Sequence, residues 1–364
     1  MKYKLLTPGP LTTSQTVKEV MMFDHCTWDD DYKQITQDIR SSLLRLAHVK
    51  EDNYTTVLMQ GSGTFGVESA LTSVVGMKDK VLILSNGAYG KRMGDICEHA
   101  SVPYLYYECS YNKVPNPDEV KNLLDAHPEV THIAMVHSET TTGILNNIQE
   151  IGEIAHTYDK TFIVDAMSSF GGIDIDLEKG HIDFLVSSAN KCIQGVPGFS
   201  FILCHREKLM KSRGKARSLS LDLYDQWKTM ELDGKWRFTS PTHVVLAFHQ
   251  ALKELVEEGG IPIRAKRYAH NNQVLIDKFA SLGIESYLKE HQGPIITTYY
   301  YPDHADFSFE EMYAYIKQQG YAIYPGKLTD AKTFRIGNIG EIYEEDMMRV
   351  YYIMKEYLKE RVEG

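Results

Sequence analysis

Seven short β-rich runs follow one another through the first part of the chain, and their spacing constrains the fold more than any other feature. They are Thr56 to Met59, Val81 to Leu84, Tyr104 to Tyr107, Ile133 to Val136, Phe162 to Val164, Asp183 to Val186 and Phe201 to Cys204. Most gaps between them carry a helical pattern, and strands alternating with helices predict a largely parallel sheet covered by helices on both faces. The last gap is different. From Val186 to Phe201 there is room only for a Gly/Pro-containing turn, too short for the helical crossover that a parallel neighbour needs. The final strand should therefore run antiparallel, which makes the expected architecture an α/β fold with a mixed, mostly parallel, seven-stranded sheet.

The flanks complete the outline. Residues 1 to 15 read as an extended arm, because Thr7-Pro8-Gly9-Pro10 excludes regular helix, and Asp31 to Leu46 carries apolar residues at helical spacing. Asn116-Pro117-Asp118-Glu119 predicts a helix start, with Asn116 as cap, Pro117 in the first turn and Glu119 closing a capping box. Beyond residue 255 the rhythm becomes helix (Arg264 to Leu282), strand (Pro294 to Tyr300), helix (Phe309 to Gln319, capped by Ser308 with Glu311), strand (Thr333 to Ile336) and helix (Glu344 to Glu360). This is an α+β unit, set off by Glu258-Gly259-Gly260-Ile261-Pro262. The expected organisation is an arm (1–15), a large domain (16–258) and a small C-terminal domain (259–364), which suits a chain of 364 residues.

Charge and cysteine usage narrow the function. A formal net charge of −10 argues against nucleic-acid or anionic-membrane partners, which want a basic face, and favours small-molecule substrates. Five scattered cysteines without a Cys-x-x-Cys pair fit a reducing compartment, so the expected location is cytoplasmic. No apolar run is long enough to span a membrane, and the break at Thr7 leaves no room for the apolar core of a signal peptide. Fourteen histidines form no His-Glu-x-x-His or comparable cluster, so no metal is expected.

In open α/β sheets, ligands bind beyond the carboxyl ends of the strands. Reading only those ends collects Gln60 to Thr64, Ser85 to Tyr89, Ser138 to Gly143, Asp165 to Ser169 and Lys191. Gly61-Ser62-Gly63-Thr64-Phe65-Gly66 matches the spacing of a dinucleotide fingerprint, but the acidic residue a ribose requires is replaced at the next strand end by Ser85-Asn86. What survives is a phosphate on the N–H groups of Ser62, Gly63 and Thr64 at a helix start, or a glycine turn used for close packing. A Walker loop is excluded by the absence of Gly-Lys-Ser/Thr. Asp165 emerges from a buried strand, where it must meet a cation or cap the following turn. Tyr89 offers a ring for stacking or for packing. Lys191 lies among Ser and Asn rather than other charges; if desolvated it is a nucleophile toward a carbonyl, and if not it is a solubilising loop lysine.

Taken together, these stretches resemble the class V aminotransferases, fold-type I enzymes that use pyridoxal 5′-phosphate (PLP). The resemblance runs through Leu5 to Pro10, Asp24 to Tyr32, Gln60 to Glu68, Asn86 to Arg92, His137 to Asn146, Val164 to Gly172, Ser187 to Phe199, Arg237 to His243 and Phe334 to Glu341. It implies Lys191 as the Schiff-base lysine, Asp165 as the partner of the pyridine nitrogen, and Ser62, Gly63 and Thr64 around the phosphate. It further implies Tyr89 stacked on the ring, Thr142 near the ring hydroxyl, and Thr239 or Ser240 reaching a phosphate in the partner of a homodimer with shared active sites. Arg335 would bind a substrate carboxylate, a role its two-pronged guanidinium suits, although a structural salt bridge would use the same residue. Arg335 with Thr7, Pro8 and Gly9 of the arm would serve the anionic ends of both substrates in turn.

The segments most resemble the class members that act on 2-aminoethylphosphonate and pyruvate, giving phosphonoacetaldehyde and L-alanine. Alanine–glyoxylate or serine–pyruvate transamination would use the same cofactor site. Cysteine desulfuration needs a mobile catalytic cysteine, and Cys192 reads as a packing residue. An NAD-dependent dehydrogenase is disfavoured by the missing acidic residue.

Overall fold

The computed structural model describes residues 3–303 and 307–362. The first two residues of the arm and the last two of the small domain, with 304–306, lie outside the described residues. All seven expected strands are present: β1 (Tyr54–Gln60), β2 (Val81–Ser85), β3 (Tyr104–Glu108), β4 (His132–Val136), β5 (Thr161–Asp165), β6 (Phe184–Ser188) and β7 (Phe199–His205). They form one sheet in the order β1-β7-β6-β5-β4-β2-β3. Strands β2 to β6 are joined by parallel pairings, whereas β7 is antiparallel to both β6 and β1. The short return from β6 thus does what its length required.

Alternation along each strand feeds two cores, one per face of the sheet. In β5, Phe162 and Val164 join Leu43, Ile133, Phe199, Phe201 and Phe248 on one side. Ile163 joins Val57, Ile83, Ala134, Val186 and Ile202 on the other. Helix Pro117–Ala126, on one of these faces, starts where its cap predicted, with one correction. Asn116 accepts from the Asp118 amide at 2.9 Å, but Glu119 takes the Tyr107 hydroxyl at 2.6 Å instead of closing a capping box. The phenol at the end of β3 is the nearer donor.

Helix Thr242–Glu258 stops at Gly259, which with Gly260 adopts positive φ (108° and 79°). Helix Gly260–Ala280 then begins at once, so Ile261 and Pro262 are helical rather than part of a linker. The small domain packs this helix and Glu344–Val362 against an antiparallel sheet of Ile296–Tyr300, Thr333–Gly337 and Tyr324–Pro325. The arm is tied to this domain: Lys4–Leu5 pairs in parallel with Tyr321–Ala322 before the chain crosses to the large sheet. It ends in the helix Gln15–Glu19, capped by Ser14.

Phe201 is fully buried between Phe170 and Phe248, with ring centroids 5.7 and 5.6 Å away. Phe201→Ala should lower unfolding free energy by about 3–5 kcal/mol, read as a shifted urea midpoint at unchanged slope.

Candidate active site

Asp165 ends β5 and is buried at the floor of a cavity. Its Oδ1 accepts one backbone hydrogen bond, from Met167 N at 2.8 Å, and among the described residues it forms no ion pair. Burial pushes this carboxyl up to about 7, against the Met167 hydrogen bond and the positive charges of Lys191 and Arg92. The turn-capping role and the demand for a cation therefore coexist: one oxygen caps and the charge stays unanswered.

Strand β6 continues through Ser187 and Ser188, two residues further than the sequence reading placed its end, because both pair with β7. Lys191 sits in the turn that follows. Its Nζ donates to Pro8 O at 3.0 Å and Gly9 O at 3.3 Å, and burial holds its ammonium below the usual lysine range. The arm passes so close that a Cβ on Gly9 would lie 2.6 Å from Lys191 Cδ, and Gly9 has φ 116°. Only glycine is comfortable there.

Beyond β1, Ser62 precedes helix Gly63–Val74 in an extended conformation, and its hydroxyl makes no capping bond. The first amides of that helix have no carbonyl partner within it. A Cβ on Gly63 would run into the Met167 side chain, so the backbone approaches the Asp165 turn closely. Arg92 Nη1 donates to Thr64 Oγ1 at 3.2 Å and adds positive charge to this anion cradle.

Tyr89 opens helix Ala88–His99, anchored by the buried Glu139 carboxylate, which accepts from Tyr89 N (3.1 Å) and Gly90 N (3.2 Å). Lys327 Nζ donates to the Tyr89 hydroxyl at 3.0 Å, and Arg92 Cζ lies 4.9 Å from the ring centroid. Burial would raise this phenol, but the charge and hydrogen bond of Lys327, a hydrogen bond with Thr140 and the charge of Lys191 together hold the group below its usual value.

Ser62, Gly63, Thr64, Tyr89, Asp165 and Lys191 line one cavity of about 480 Å³. Sequence reasoning missed three neighbours, Arg92, Met167 and Lys327; the first two lay in quoted motifs, while Lys327 carried no local signal. Other expected site residues lie outside the cavity lining. Thr142 is fully buried and its hydroxyl donates to Tyr111 O at 3.2 Å. Ser240 is turned into its own chain, 2.6 Å from the Tyr32 hydroxyl, whereas Thr239 is exposed. Thr7 donates to Pro10 O and shapes the arm. Arg335 is 3% exposed and gives Nε to Pro325 O (2.9 Å) and Nη1 to Thr140 O (2.8 Å). It has no carboxylate partner among the described residues, so its alternative as a structural salt bridge is set aside.

The donor set fits PLP: a buried carboxylate lacking a cation would suit a protonated ring nitrogen, a depressed lysine would offer an amine, and a helix start with Arg92 would offer a phosphate cradle. Cys192, by contrast, is buried, with its thiol pushed up to about 12 and its Sγ 3.2 Å from Ser168 O. It is a packing residue, not a mobile nucleophile.

Residues 25–338 match the aminotransferase class-V family, and the chain belongs to that family. It is an aminotransferase. Among its relatives, the 2-aminoethylphosphonate–pyruvate transaminase of Lysinibacillus sphaericus is 58% identical over 98% of this chain and 97% of its own length. The enzyme of the same name from Salmonella schwarzengrund is 54% identical over 95% of both chains. The bifunctional phosphonoacetaldehyde hydrolase/aminoethylphosphonate transaminase of Clostridioides difficile is 53% identical over 98% of this chain, which spans 56% of that longer protein. The fold is also that of pyridoxamine–pyruvate aminotransferase from Mesorhizobium loti, with a TM-score of 0.90 at 22% identity over 99% of this chain and 93% of the other.

The Asp165 carboxyl generates a pH test. Unfolded, it ionises near pH 4; folded without cofactor, near pH 7. Its stabilising protonated form is complete below pH 4 and lost as pH rises to 7. Cofactor-free Asp165→Asn should therefore exceed the cofactor-free parent in stability by up to roughly 4 kcal/mol at pH 8, the difference vanishing toward pH 4 in denaturant titrations.

Proposed function

We propose that this enzyme transfers the amino group of 2-aminoethylphosphonate to pyruvate, giving phosphonoacetaldehyde and L-alanine, with PLP attached through Lys191. The observation that carries the cofactor reading is that Asp165 and Lys191 share one cavity without neutralising each other. The substrates follow from the names of relatives more than half identical over nearly the whole chain.

When bound, PLP supplies a carbonyl for amine exchange and a ring that accepts an electron pair. The chain's own groups do the rest. Asp165 holds a proton on the ring nitrogen, an anion that gains back the cation burial denied it. Lys191, poised toward its neutral form by burial, would be the group that carries a proton at Nζ during the transfer. Ser62, Gly63 and Thr64 would hold the phosphate, with Arg92 beside them, Tyr89 would stack on the ring, and Thr142 would sit near the ring hydroxyl. Arg335 binds the carboxylate of pyruvate or alanine, for its Nη2 is spared by its two backbone contacts. The arm at Thr7, Pro8 and Gly9 closes the site over Lys191.

A cytoplasmic homodimer completes the proposal. All five cysteines are free, and no helix among the described residues is long and apolar enough to cross a membrane. Met22, Phe23, Trp28, Leu232 and Phe238 are exposed, and Thr239 follows Phe238 directly in sequence. Such surface wants a partner. Thr239 rather than Ser240 is the hydroxyl free to reach a partner's phosphate.

The deciding experiment is a donor and acceptor panel. 2-Aminoethylphosphonate with pyruvate should yield alanine far faster than alanine with glyoxylate yields glycine; the reverse ranking overturns the substrate assignment. Borohydride should fix the cofactor's mass to the parent and leave Lys191→Ala unlabelled and inactive. Arg335→Lys should raise KM for pyruvate roughly tenfold, because a point charge replaces a planar fork.

A further inference from the structure

The proposed reaction sets one site a problem of charge. A carboxylate is planar and carries one negative charge; a phosphonate is tetrahedral, with three oxygens and up to two. A single guanidinium answers the first and leaves the second underbalanced. Arg335 is that guanidinium, fixed by two backbone carbonyls on the small-domain sheet.

A second cation stands nearby in the chain. Lys327 lies two residues after Pro325, whose carbonyl holds Arg335, on the loop linking Tyr324–Pro325 to Thr333–Gly337. Its backbone is tied to Arg335 through that strand pair, where Pro325 is in register with Phe334. Lys327 is exposed, yet in a chain of net charge −10 it contacts no carboxylate among the described residues. Its Nζ instead reaches inward to the Tyr89 hydroxyl at 3.0 Å and sits 4.3 Å from the ring centroid. Its charge is felt at Lys191 as well as at Tyr89. A neutral phenol and a ring face are weak partners for an ammonium that could have found an acid in solvent. They hold it beside Tyr89, which lines the cavity, with no carboxylate among the described residues to cancel its charge.

We propose that Lys327 is a specificity-determining residue that binds the phosphonate end of the amino donor together with Arg335, and that the monoanionic acceptor is bound by Arg335 without it. This rests on the aminophosphonate reading above. Lys327 leaves the Tyr89 hydroxyl for a phosphonate oxygen, an exchange its long exposed stem permits without movement of the sheet.

The test uses the PLP-loaded enzyme and both half-reactions. Lys327→Ala, at an exposed position, should raise KM for 2-aminoethylphosphonate by roughly tenfold to a hundredfold, the range expected for one charged hydrogen bond. KM for pyruvate should change less than about threefold by the same reasoning, and Lys327→Arg should restore donor KM toward the parent value. The preference for 2-aminoethylphosphonate over 3-aminopropionate, which ends in a carboxylate, should shrink by the same factor. Equal losses for donor and acceptor would mean that Lys327 only braces Tyr89, and would overturn the proposal while leaving the reaction assigned. An unchanged donor KM would do the same. A parent enzyme that does not use 2-aminoethylphosphonate would overturn the reaction and this role with it.

Discussion

A carboxyl buried at the end of a parallel strand with no cation to face it is the condition around which the site is arranged. Asp165 could have been satisfied cheaply, for Lys191 lines the same cavity, and an ion pair between them would have stabilised the empty protein. Instead the lysine is drawn away by the carbonyls of Pro8 and Gly9, and the carboxyl keeps a single amide. Both groups are thereby left displaced from their ordinary ionisation, the acid upward and the base downward. The folded chain carries this cost until a ligand bearing a cation and a carbonyl occupies the cavity. Stability has been yielded where chemistry needs it.

The same contacts join the large sheet to the C-terminal α+β elements. The arm pairs with Tyr321–Ala322 in the small domain, passes Gly337 at a distance that leaves no space for a Cβ, and then touches Lys191. Gly337 closes the strand that carries Arg335. The strand that carries Arg335 and the side chain of Lys191 thus both rest on successive residues of one extended segment. A shift of the small domain relative to the large sheet would be felt at both ends of a substrate at once, as simultaneous positioning requires.

What the sequence disclosed, and what it withheld, divides along physical lines. The seven strands, the antiparallel return before Phe201 and the convergence of Ser62, Asp165 and Lys191 follow from local periodicity and from the rule that ligands lie beyond strand ends. Strand order is not local, and nothing in the runs themselves places β7 between β6 and β1. The Glu119 cap failed because a competing donor, Tyr107, came from another element. Ser240 was indistinguishable from Thr239 until Tyr32 claimed its hydroxyl. Lys327 looks in sequence like any loop lysine, since its meaning lies in its contact with Tyr89 in place of an ion pair among the described residues, which only three dimensions reveal.

That absence bears on how one cavity handles two substrates in turn. The donor and the acceptor of a transaminase occupy the same place, so a rigid site balanced for a dianion would hold a monoanion in an excess of positive charge, and one balanced for the monoanion would repel the dianion. Two fixed arginines would not resolve this. A buried, doubly anchored Arg335 and an exposed Lys327 tethered to Tyr89 would resolve it on the role proposed for Lys327, because the second cation would approach only when an oxygen is present to draw it from Tyr89. The asymmetry in burial between the two cations is therefore the property that matters: burial makes the first a constant of the site, and exposure makes the second conditional on the substrate.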